Sequence, residues 1–494
     1  MKKIIGLSLL VLASGCSLAP KFETPDVETP SQYKEAVQLP EAERGHWKEA
    51  QPSEHVARGE WWRVFNDEAL NTLQTQALAA NAQLQAAAAR VRQARAIVGI
   101  VNADRLPQLG AGFGPSRTKP TGTALGLPQG VDTSPYTIWR ADLNASWEVD
   151  LFGRIGDGVR AAESEAGSSE ATYQSLMLAL QADVASVYFQ LRAMDSELAL
   201  LRDTVDWRHQ NVDLTQKRFN AGAISELDLA RAKTELATTQ SEMHALERQR
   251  ARLEHALAVL LGRAPANFTL TQQPFTESER ENVPVIPAGL PSTLLERRPD
   301  VVAAQQSLMA SNARIGVARA AFFPVLNLTA NGGFASEELG DLFNWSSRTW
   351  ALGPLAGTIL TMPIFSGGRN TANLDRSWAA YDEAVANYRD RVLNAFADVE
   401  DSLSDLRTLD AQARANASAL VSSRRASGLT DSRYKAGAAS YFEVIDVQRS
   451  QLDIERLNVQ IDGARRLATV SLIRALGGGW SSPQPIAARS DGNN

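Results

Sequence analysis

Residues 139–151 have the sequence WRADLNASWEVDL, in which apolar and polar side chains alternate without a break. Successive side chains of an extended strand point to opposite faces, so this pattern predicts one apolar face and one polar face. The apolar face would carry Trp139, Ala141, Leu143, Ala145, Trp147, Val149 and Leu151. Trp139 and Trp147 would stand roughly 26 Å apart, a spacing compatible with the two aromatic girdles of a membrane strand. We interpret the stretch as a strand of a membrane barrel, with a half-buried soluble strand as the alternative.

The chain is internally duplicated. RFNAGAISELD at 218–228 matches RYKAGAASYFE at 433–443, an offset of 215 residues, and ARAIVGIVNADRLPQL at 94–109 resembles ARIGVARAAFFPVLNL at 313–328. Because self-similarity at a fixed offset indicates repeated structural units, we predict two copies of a unit of roughly 200 residues. In each copy the order would be short helix, strand, long loop, strand, very long helix, glycine turn and long helix.

Long segments without proline carry a heptad pattern. Residues 157–220 contain no proline, and a continuous helix of this length would be roughly 95 Å long. Its apolar seam comprises Leu176, Leu180, Val184, Val187, Leu191, Met194, Leu198, Leu201 and Val205. After the glycine turn the seam resumes, and there it includes Thr239 and Arg250. The spacing predicts left-handed supercoiling of helices packed along their neighbours. A free-standing coiled-coil spacer is the alternative for the helices alone, and the strand at 139–151 argues against it.

The leader, the repeats and a proline-rich joint predict the organisation of the chain. It comprises a signal peptide at 1–15, an N-terminal tether at 16–58, a first repeat at 59–262, a linker at 263–291, a second repeat at 292–480 and a tail at 481–494. Strands are expected at about 106–118, 136–151, 323–335 and 349–364, and long helices at about 157–220, 226–262, 368–435 and 441–477. The fourth strand contains Pro354 and Pro363 and is placed by the repeat alone.

The composition excludes several classes of function. The 494 residues include one cysteine, which rules out an internal disulfide, a thiolate zinc cluster and an iron–sulfur site. The five histidines form no HxxH or HExxH pattern, so we expect neither a metal site nor an enzyme. A net charge of −6 without a basic block argues against nucleic acid as a partner.

The single cysteine, Cys16, ends an apolar leader that follows Lys2 and Lys3. An apolar run of about ten residues is too short to span a bilayer and predicts a cleaved signal. The sequence ASGC at 13–16 resembles the bacterial lipobox, whose cysteine receives a diacylglycerol and becomes the first residue after cleavage. This resemblance implies a covalent diacylglycerol and an N-acyl lipid on Cys16, and no other cofactor. Ser17 at the next position implies sorting to the outer membrane. A plain signal with a chance cysteine is the alternative.

Four strands cannot close a barrel, because bacterial barrels need at least about eight. An open sheet edge in lipid would leave backbone groups without hydrogen bonds. Several chains must therefore share one barrel, with eight strands from two chains or twelve from three. The long helices, which continue from those strands, would form a helical tube around the same axis.

Together these features resemble the TolC-like outer-membrane factors, specifically the lipoprotein (NodT-type) branch that serves resistance–nodulation–division efflux pumps. The most specific segments are 16–33, 59–73, 294–305 and the two helix turns. The resemblance implies a mainly α fold with membrane β-structure: a homotrimer with a shared 12-stranded barrel in outer-membrane lipid and a periplasmic α-helical tunnel. It also implies a periplasmic adaptor, an inner-membrane resistance–nodulation–division transporter and a passive exit duct for drugs or other small toxic compounds. The alternatives are the outer-membrane channel of a type I protein secretion system and a structural lipoprotein without a pore.

The two helix turns carry most of the candidate site residues. Gly222 and Gly437 are expected to adopt positive φ where the long helices end. Basic residues precede them and serines follow, at Arg218 and Arg433 and at Ser225 and Ser440. The sequences SELD at 225–228 and SYFE at 440–443 are typical of capping boxes. The family resemblance implies that both turns contact the adaptor.

The same resemblance assigns the periplasmic gate to Asp228, Glu443 and Asp446, with helix capping as the alternative for the first two. Asp446 differs because its counterpart in the first repeat is Arg231, so the two copies have opposite charges at this point. Better-known members have a basic residue where this chain has Ala439. We hypothesise that Arg231 supplies that charge and pairs with Asp446 across neighbouring helix pairs.

Overall fold

The computed structural model describes residues 17–30, 33–35, 60–128, 130, 132–281, 283–284, 298–353 and 360–478. Cys16, the signal peptide at 1–15, much of the tether and of the linker, and the tail at 481–494 therefore lie outside the described residues. None of the helices in the described part of the chain combines the length and the apolarity needed to cross a lipid bilayer.

The described helices repeat in length as well as in order. They are α1 Glu68–Ala80, α2 Ala82–Ala103, α3 Arg154–Asn220, α4 Glu226–Leu260, α5 Glu277–Glu281, α6 Pro299–Ala320, α7 Arg369–Lys435 and α8 Tyr441–Ala475. Helices α3 and α7 each have 67 residues, and α4 and α8 each have 35. Each long helix begins within three residues of its predicted start. The heptad seam is buried through the middle of α3, where Leu191, Leu198 and Leu201 are fully inaccessible.

One antiparallel sheet joins the two repeats. Its strands are β1 Gln108–Thr118, β2 Tyr136–Val149, β3 Val325–Ser336, β4 Arg348–Leu352 and β5 Leu360–Thr361. The order is β1-β2-β3-β4, and β5 also pairs with β3. The junction between the repeats is the β2–β3 pair, in which Leu143 lies opposite Gly332 and Ala145 lies opposite Ala330.

The fourth predicted strand, 349–364, is wrong as a single continuous element. The structure has two short segments in its place, β4 and β5, and residues 354–359 lie outside the described part. Pro354 and Pro363 follow the two segments closely. Gly353, directly after β4, has a φ of +100°, and Pro363 has no N–H to donate to a strand ladder, so neither of these residues continues a strand.

The sheet has one continuous apolar face, as the alternation in 139–151 predicts. Residues paired across an antiparallel sheet share a face, so the register aligns Phe113 with Ala141, and Ala141 with Phe334. Many of the large apolar side chains of this face are exposed, among them Leu109, Phe113, Leu143, Leu328, Trp350, Leu352 and Leu360. The opposite face carries Asp142 and Asn144, whose partners on β1 and β3 are glycine or asparagine.

The chain divides into two compact units, and each takes residues from both repeats. The sheet unit comprises residues 17–26, 90–170 and 303–389, and the helix unit comprises the remaining described residues. A repeat is therefore not a folding domain. In the sheet unit the strands of one repeat pair with those of the other. In the helix unit Val470 of the second repeat packs into a core with Leu70, Tyr188 and Leu257 of the first.

Candidate functional site

The first helix turn joins α3 to α4 through Gly222, whose φ is +71°. The amide of Ala223 donates to the Arg218 carbonyl at 2.9 Å, which ends α3 in the manner of a Schellman motif. Ser225 then caps α4, because its side chain accepts from the Asp228 amide at 3.3 Å. The Ser225 hydroxyl also donates to Asp228 Oδ2 at 2.9 Å. This is half of the predicted capping box: no bond joins the Asp228 carboxylate to the Ser225 amide, and aspartate is one methylene shorter than glutamate.

The second turn joins α7 to α8 through Gly437, whose φ is +76°. Arg433 closes the turn, because its Nη2 donates to the Ala438 carbonyl at 3.0 Å. Ser440 and Glu443 form a complete capping box, since the Glu443 side chain accepts from the Ser440 amide and the Ser440 side chain accepts from the Glu443 amide. The bonds from the Ser440 amide and hydroxyl hold the pKa of Glu443 below its ordinary value. Helix capping thus occupies Glu443 within the chain.

An aromatic cluster connects the two turns. The guanidinium of Arg218 lies over the Tyr434 ring, 5.7 Å from its centroid, and donates to the Tyr434 hydroxyl at 3.2 Å. Tyr434 in turn packs against Tyr441 with ring centroids 5.8 Å apart. Tyr441 is buried, which raises its pKa to about 12, and its hydroxyl accepts from Asn211 Nδ2 at 2.7 Å. These contacts hold the turn of one repeat against the turn of the other.

The candidate gate residues lie close to this cluster. Arg231 Nη1 is 3.9 Å from Asp228 Oδ1, and its guanidinium lies over the Phe442 ring at 5.3 Å from the centroid. Asp446 is exposed on α8, and among the described residues no cationic group lies within salt-bridge distance of it. Inside one chain Arg231 therefore contacts Asp228 and Phe442. Its pairing with Asp446 across neighbouring helix pairs stays a hypothesis.

Sequence reasoning missed a buried charge network next to the turns. Glu235 lies 3.1 Å from Arg208 Nη1 and also bonds Arg449 of α8. Burial lowers the pKa of Arg208, whose Nη1 also bonds the Thr239 hydroxyl. One signal was present, because Thr239 is a polar residue within the predicted apolar seam. The distant partners could not be read from it.

Replacing Asp446 with alanine is expected to raise single-channel conductance in planar bilayers. In a gate formed by Asp446 of symmetry-related copies, identical acids would repel one another or bind cations, and their removal would widen and neutralise the constriction. Asp453→Ala is the matched control, since Asp453 is an exposed acid on the same helix about two turns further on. Unchanged conductance in Asp446→Ala, or an equal rise in the control, contradicts the gate assignment.

The two predicted girdle tryptophans lie on the apolar face of β2. Trp139 packs against Phe113 of β1 with ring centroids 6.1 Å apart. Trp147, near the other end of the strand, donates from Nε1 to the Arg105 carbonyl at 3.0 Å and is 38% exposed. An amphipathic ring with its N–H bonded and its body exposed is suited to a membrane–water interface.

A chain that combines a sheet with an exposed apolar face and two pairs of long helices has the elements of an outer-membrane channel protein. The chain belongs to the outer membrane efflux protein family, whose model matches residues 73–263 and 290–478. The two matched segments fall within the two predicted repeats, apart from residue 263 at the end of the first segment and residues 290 and 291 at the start of the second.

Curated relatives match over nearly the whole chain. The cation efflux system protein CusC of Escherichia coli is 32% identical over 481 residues, which is 97% of this chain and 99% of CusC. The outer membrane protein OprJ of Pseudomonas aeruginosa is 33% identical over 497 residues, which is 100% of both chains.

Solved structures match the fold. The CmeC outer membrane channel of Campylobacter jejuni superposes with a TM-score of 0.86 at 26% identity, covering 95% of this chain and 96% of that one. A CusC crystal structure gives a TM-score of 0.80 at 31% identity, covering 94% and 100%. The predicted family and the mainly helical, duplicated fold with strands are confirmed.

Proposed function

We propose that the protein is the outer-membrane exit duct of a tripartite efflux pump, through which drugs or other small toxic compounds pass passively to the exterior. The observation that carries the proposal is the sheet: its apolar face is exposed, and in the described part of the chain neither of its edge strands has a partner on its outer side. Among the described residues, β1 pairs with β2 alone and β4 pairs with β3 alone. Such edges are stable in lipid only when another strand covers them.

Three copies of the chain would close the sheet. With β4 and β5 counted together as the fourth strand of each copy, a homotrimer supplies twelve strands to a closed barrel, in which β1 of one copy covers the free edge of β4 and β5 in the next. The long helices would continue as a periplasmic tunnel. The mass of the detergent-solubilised protein tests this arrangement, and a monomer or dimer that still conducts ions would contradict it.

The function itself is tested by deleting the gene and reconstituting the purified protein. Deletion should lower resistance to toxic compounds, and the protein should form pores in planar bilayers. Loss of an exported protein with normal resistance would instead indicate a type I secretion channel. Absence of any conductance would indicate a structural lipoprotein.

The two helix turns are suited to contact a periplasmic adaptor. They are exposed, and a Cβ added at Gly222 or Gly437 would meet no atom within 4 Å. Leu227 and Phe442 beside them are 57% and 55% exposed. An adaptor bound there would link the duct to an inner-membrane resistance–nodulation–division transporter, which supplies the energy.

The cargo is expected to be selected by the pump rather than by the duct. Three relatives that are each 32–33% identical to this chain are named for cation efflux, pyoverdine export and toluene efflux. Proteins of this length and fold thus serve chemically unlike compounds. A polar-lined duct that imposes little chemistry on its contents would behave in this way.

The lipid on Cys16 belongs to the same proposal. The residues directly after Cys16 are held against the sheet unit: Ser17 donates to Asp157 Oδ1 at 2.8 Å, and the Leu18 carbonyl accepts from Arg319 at 3.1 Å. Asp157 lies in the first turn of α3, just after β2, and Arg319 lies at the end of α6, just before β3. A lipid attached next to Ser17 would therefore be near the helix-connected edge of the sheet.

Cys16→Ala, expressed with a substitute signal peptide, is expected to lose labelling by radioactive palmitate but to retain part of the duct function. The reason is that the shared barrel already places the protein in the membrane, so the lipid serves as a sorting label and auxiliary anchor. Wild type without label contradicts the lipid assignment. Total loss of function at normal trimer levels contradicts the auxiliary role.

A further inference from the structure

Here an edge of the sheet means the border formed by the ends of its strands, not the edge strands β1 and β4. The two such edges differ in the segments to which they connect. The start of β1 follows α2, the end of β2 leads into α3, and the start of β3 follows α6, so one edge faces the helices. The other edge, called the loop edge below, is formed by two loops, at 119–135 and 337–347. In an outer-membrane duct with periplasmic helices, the loop edge lies at the outer leaflet.

Two arginines end the apolar face at the loop edge. Arg117 of β1 pairs with Thr137, two positions from Trp139 on the same face of β2. Arg348 of β4 pairs with Phe334, which belongs to the apolar face of β3. Both arginines are exposed. They point to the side of the sheet that carries the exposed leucines and tryptophans, and each lies at the end of its strand beyond the apolar band.

The guanidinium of Arg348 is held in place and retains free donors. It lies 3.2 Å from the Trp345 ring centroid, and its Nε donates to the Trp345 carbonyl at 2.8 Å. Within the described residues no acidic group lies within salt-bridge distance of Arg117 or Arg348, whereas Lys119 is paired with Asp132 at 2.9 Å. Acidic residues of this edge lie in the loops, at Asp132, Glu337, Glu338 and Asp341.

We propose that Arg117 and Arg348 bind the phosphate groups of the glycolipid that forms the outer leaflet. A long basic side chain next to an apolar surface extends its charge to the headgroup level while its stem covers hydrocarbon. A guanidinium matches phosphate geometry through paired N–H donors. Aromatic stacking orients Arg348 before the lipid binds, which lowers the entropic cost of the contact.

The inference rests on the proposed shared barrel, and that barrel adds a further feature. In the closed ring, β4 of one copy is next to β1 of the next copy. Arg348 and the neighbouring copy's Arg117 then lie on adjacent strands, on the outward face and at the same edge. Each boundary between copies would carry one two-arginine phosphate site, and the ring would carry three.

The test titrates the purified trimer with bis-phosphorylated lipid A and with enzymatically dephosphorylated lipid A, and counts bound lipid by native mass spectrometry. Wild type should prefer the phosphorylated lipid. Arg117→Gln combined with Arg348→Gln should weaken its binding roughly tenfold, because charge-assisted hydrogen bonds are lost. Inorganic phosphate alone should not compete at equal concentration, since it covers no apolar surface.

Arg140→Gln is the matched control. Arg140 is exposed near the same edge but on the polar face, where it pairs with Gly114 and Ala335. The Arg140→Gln variant should bind lipid A as wild type does. The inference is overturned if wild type binds both lipids equally, or if Arg140→Gln weakens lipid A binding as much as the double variant does. The comparison of the two lipids on wild type decides even if the double variant fails to fold. A wild type that forms neither trimer nor pore overturns the shared barrel as well, whereas an intact pore without phosphate preference overturns the lipid site alone.

Discussion

Gly333→Ala is expected to destabilise the sheet where the two repeats meet. A Cβ at Gly333 would overlap the Ala141 carbonyl oxygen and lie 2.6 Å from the Asp142 Cα. Both atoms belong to the backbone of β2, which cannot rotate away as a flexible side chain does. The strand would have to shift, at a cost of about 1–3 kcal/mol per chain. The measurement is the midpoint temperature of unfolding of the purified protein in detergent.

The neighbouring glycine provides the control. A Cβ at Gly332 would meet no atom within 4 Å, although the residue pairs with both Leu143 and Trp350. Gly332→Ala should therefore unfold at the wild-type temperature. A similar loss of stability in both variants would contradict the close approach of the Gly333 Cβ to β2 as the cause.

Arg192→Met is expected to have the largest effect in the helix unit. The side chain is 3% exposed, and it bonds Asp67 at 3.0 Å and Glu279 at 2.9 Å. Its Nε also donates to the Gln273 carbonyl at 2.6 Å, which fixes the linker against α3. Methionine fills similar space but leaves both carboxylates without their cation. Breaking a buried ion pair in this way costs about 3–5 kcal/mol, measurable as a lower urea midpoint.

Arg202→Ala is the matched control, since Arg202 lies on the same helix and reaches the same linker. Its Nη1 bonds Gln272 at 2.7 Å, but the side chain is 44% exposed. Exposed ionic contacts contribute about 0–1 kcal/mol, so the urea midpoint should stay near wild type. A drop as large as that of Arg192→Met would contradict burial as the reason for the large effect of Arg192.

The stability that the contact between Arg192 and Glu279 provides is expected to depend on pH. Burial by itself would raise the pKa of Glu279, but bonds from Thr276 and Arg192 outweigh it and hold that pKa below its ordinary value of 4.5. A depressed pKa means that the folded state favours the carboxylate. The resulting stability is present above pH 4.5 and is lost as the pH falls below it. The acid limb of the Arg192→Met stability profile should therefore be flatter than that of wild type.

Local patterns predicted much of the fold. Alternation in 139–151 predicted the apolar face of β2, because side-chain direction in a strand depends only on residue parity. Glycine and serine positions predicted the two helix turns, since positive φ and helix capping are decided within a few residues. The weakest prediction was the fourth strand, where Gly353 and Pro363 fall within the predicted range and no alternation guided the placement.

The candidate site was predictable only in part. The turns, with Gly222, Gly437, Ser225 and Ser440, lie where the sequence indicated. The buried pair of Arg208 and Glu235 and the contact between the Tyr434 and Tyr441 rings were missed. The two members of each pair lie on different helices on either side of a glycine turn, and helical spacing rules do not extend across such a turn.

By itself the sequence determined the first three strands, the long helices, their caps and the duplication, because these follow from interactions between residues close together along the chain. Only the tertiary structure decided that the strands of one repeat pair with those of the other, and that Arg192 bonds both Asp67 and Glu279. It also decided that Arg117 and Arg348 lie at the end of the same apolar face. The physical reason is that strand register and the partners of a buried charge depend on packing between distant segments. Such packing leaves no periodic signal in any one of them.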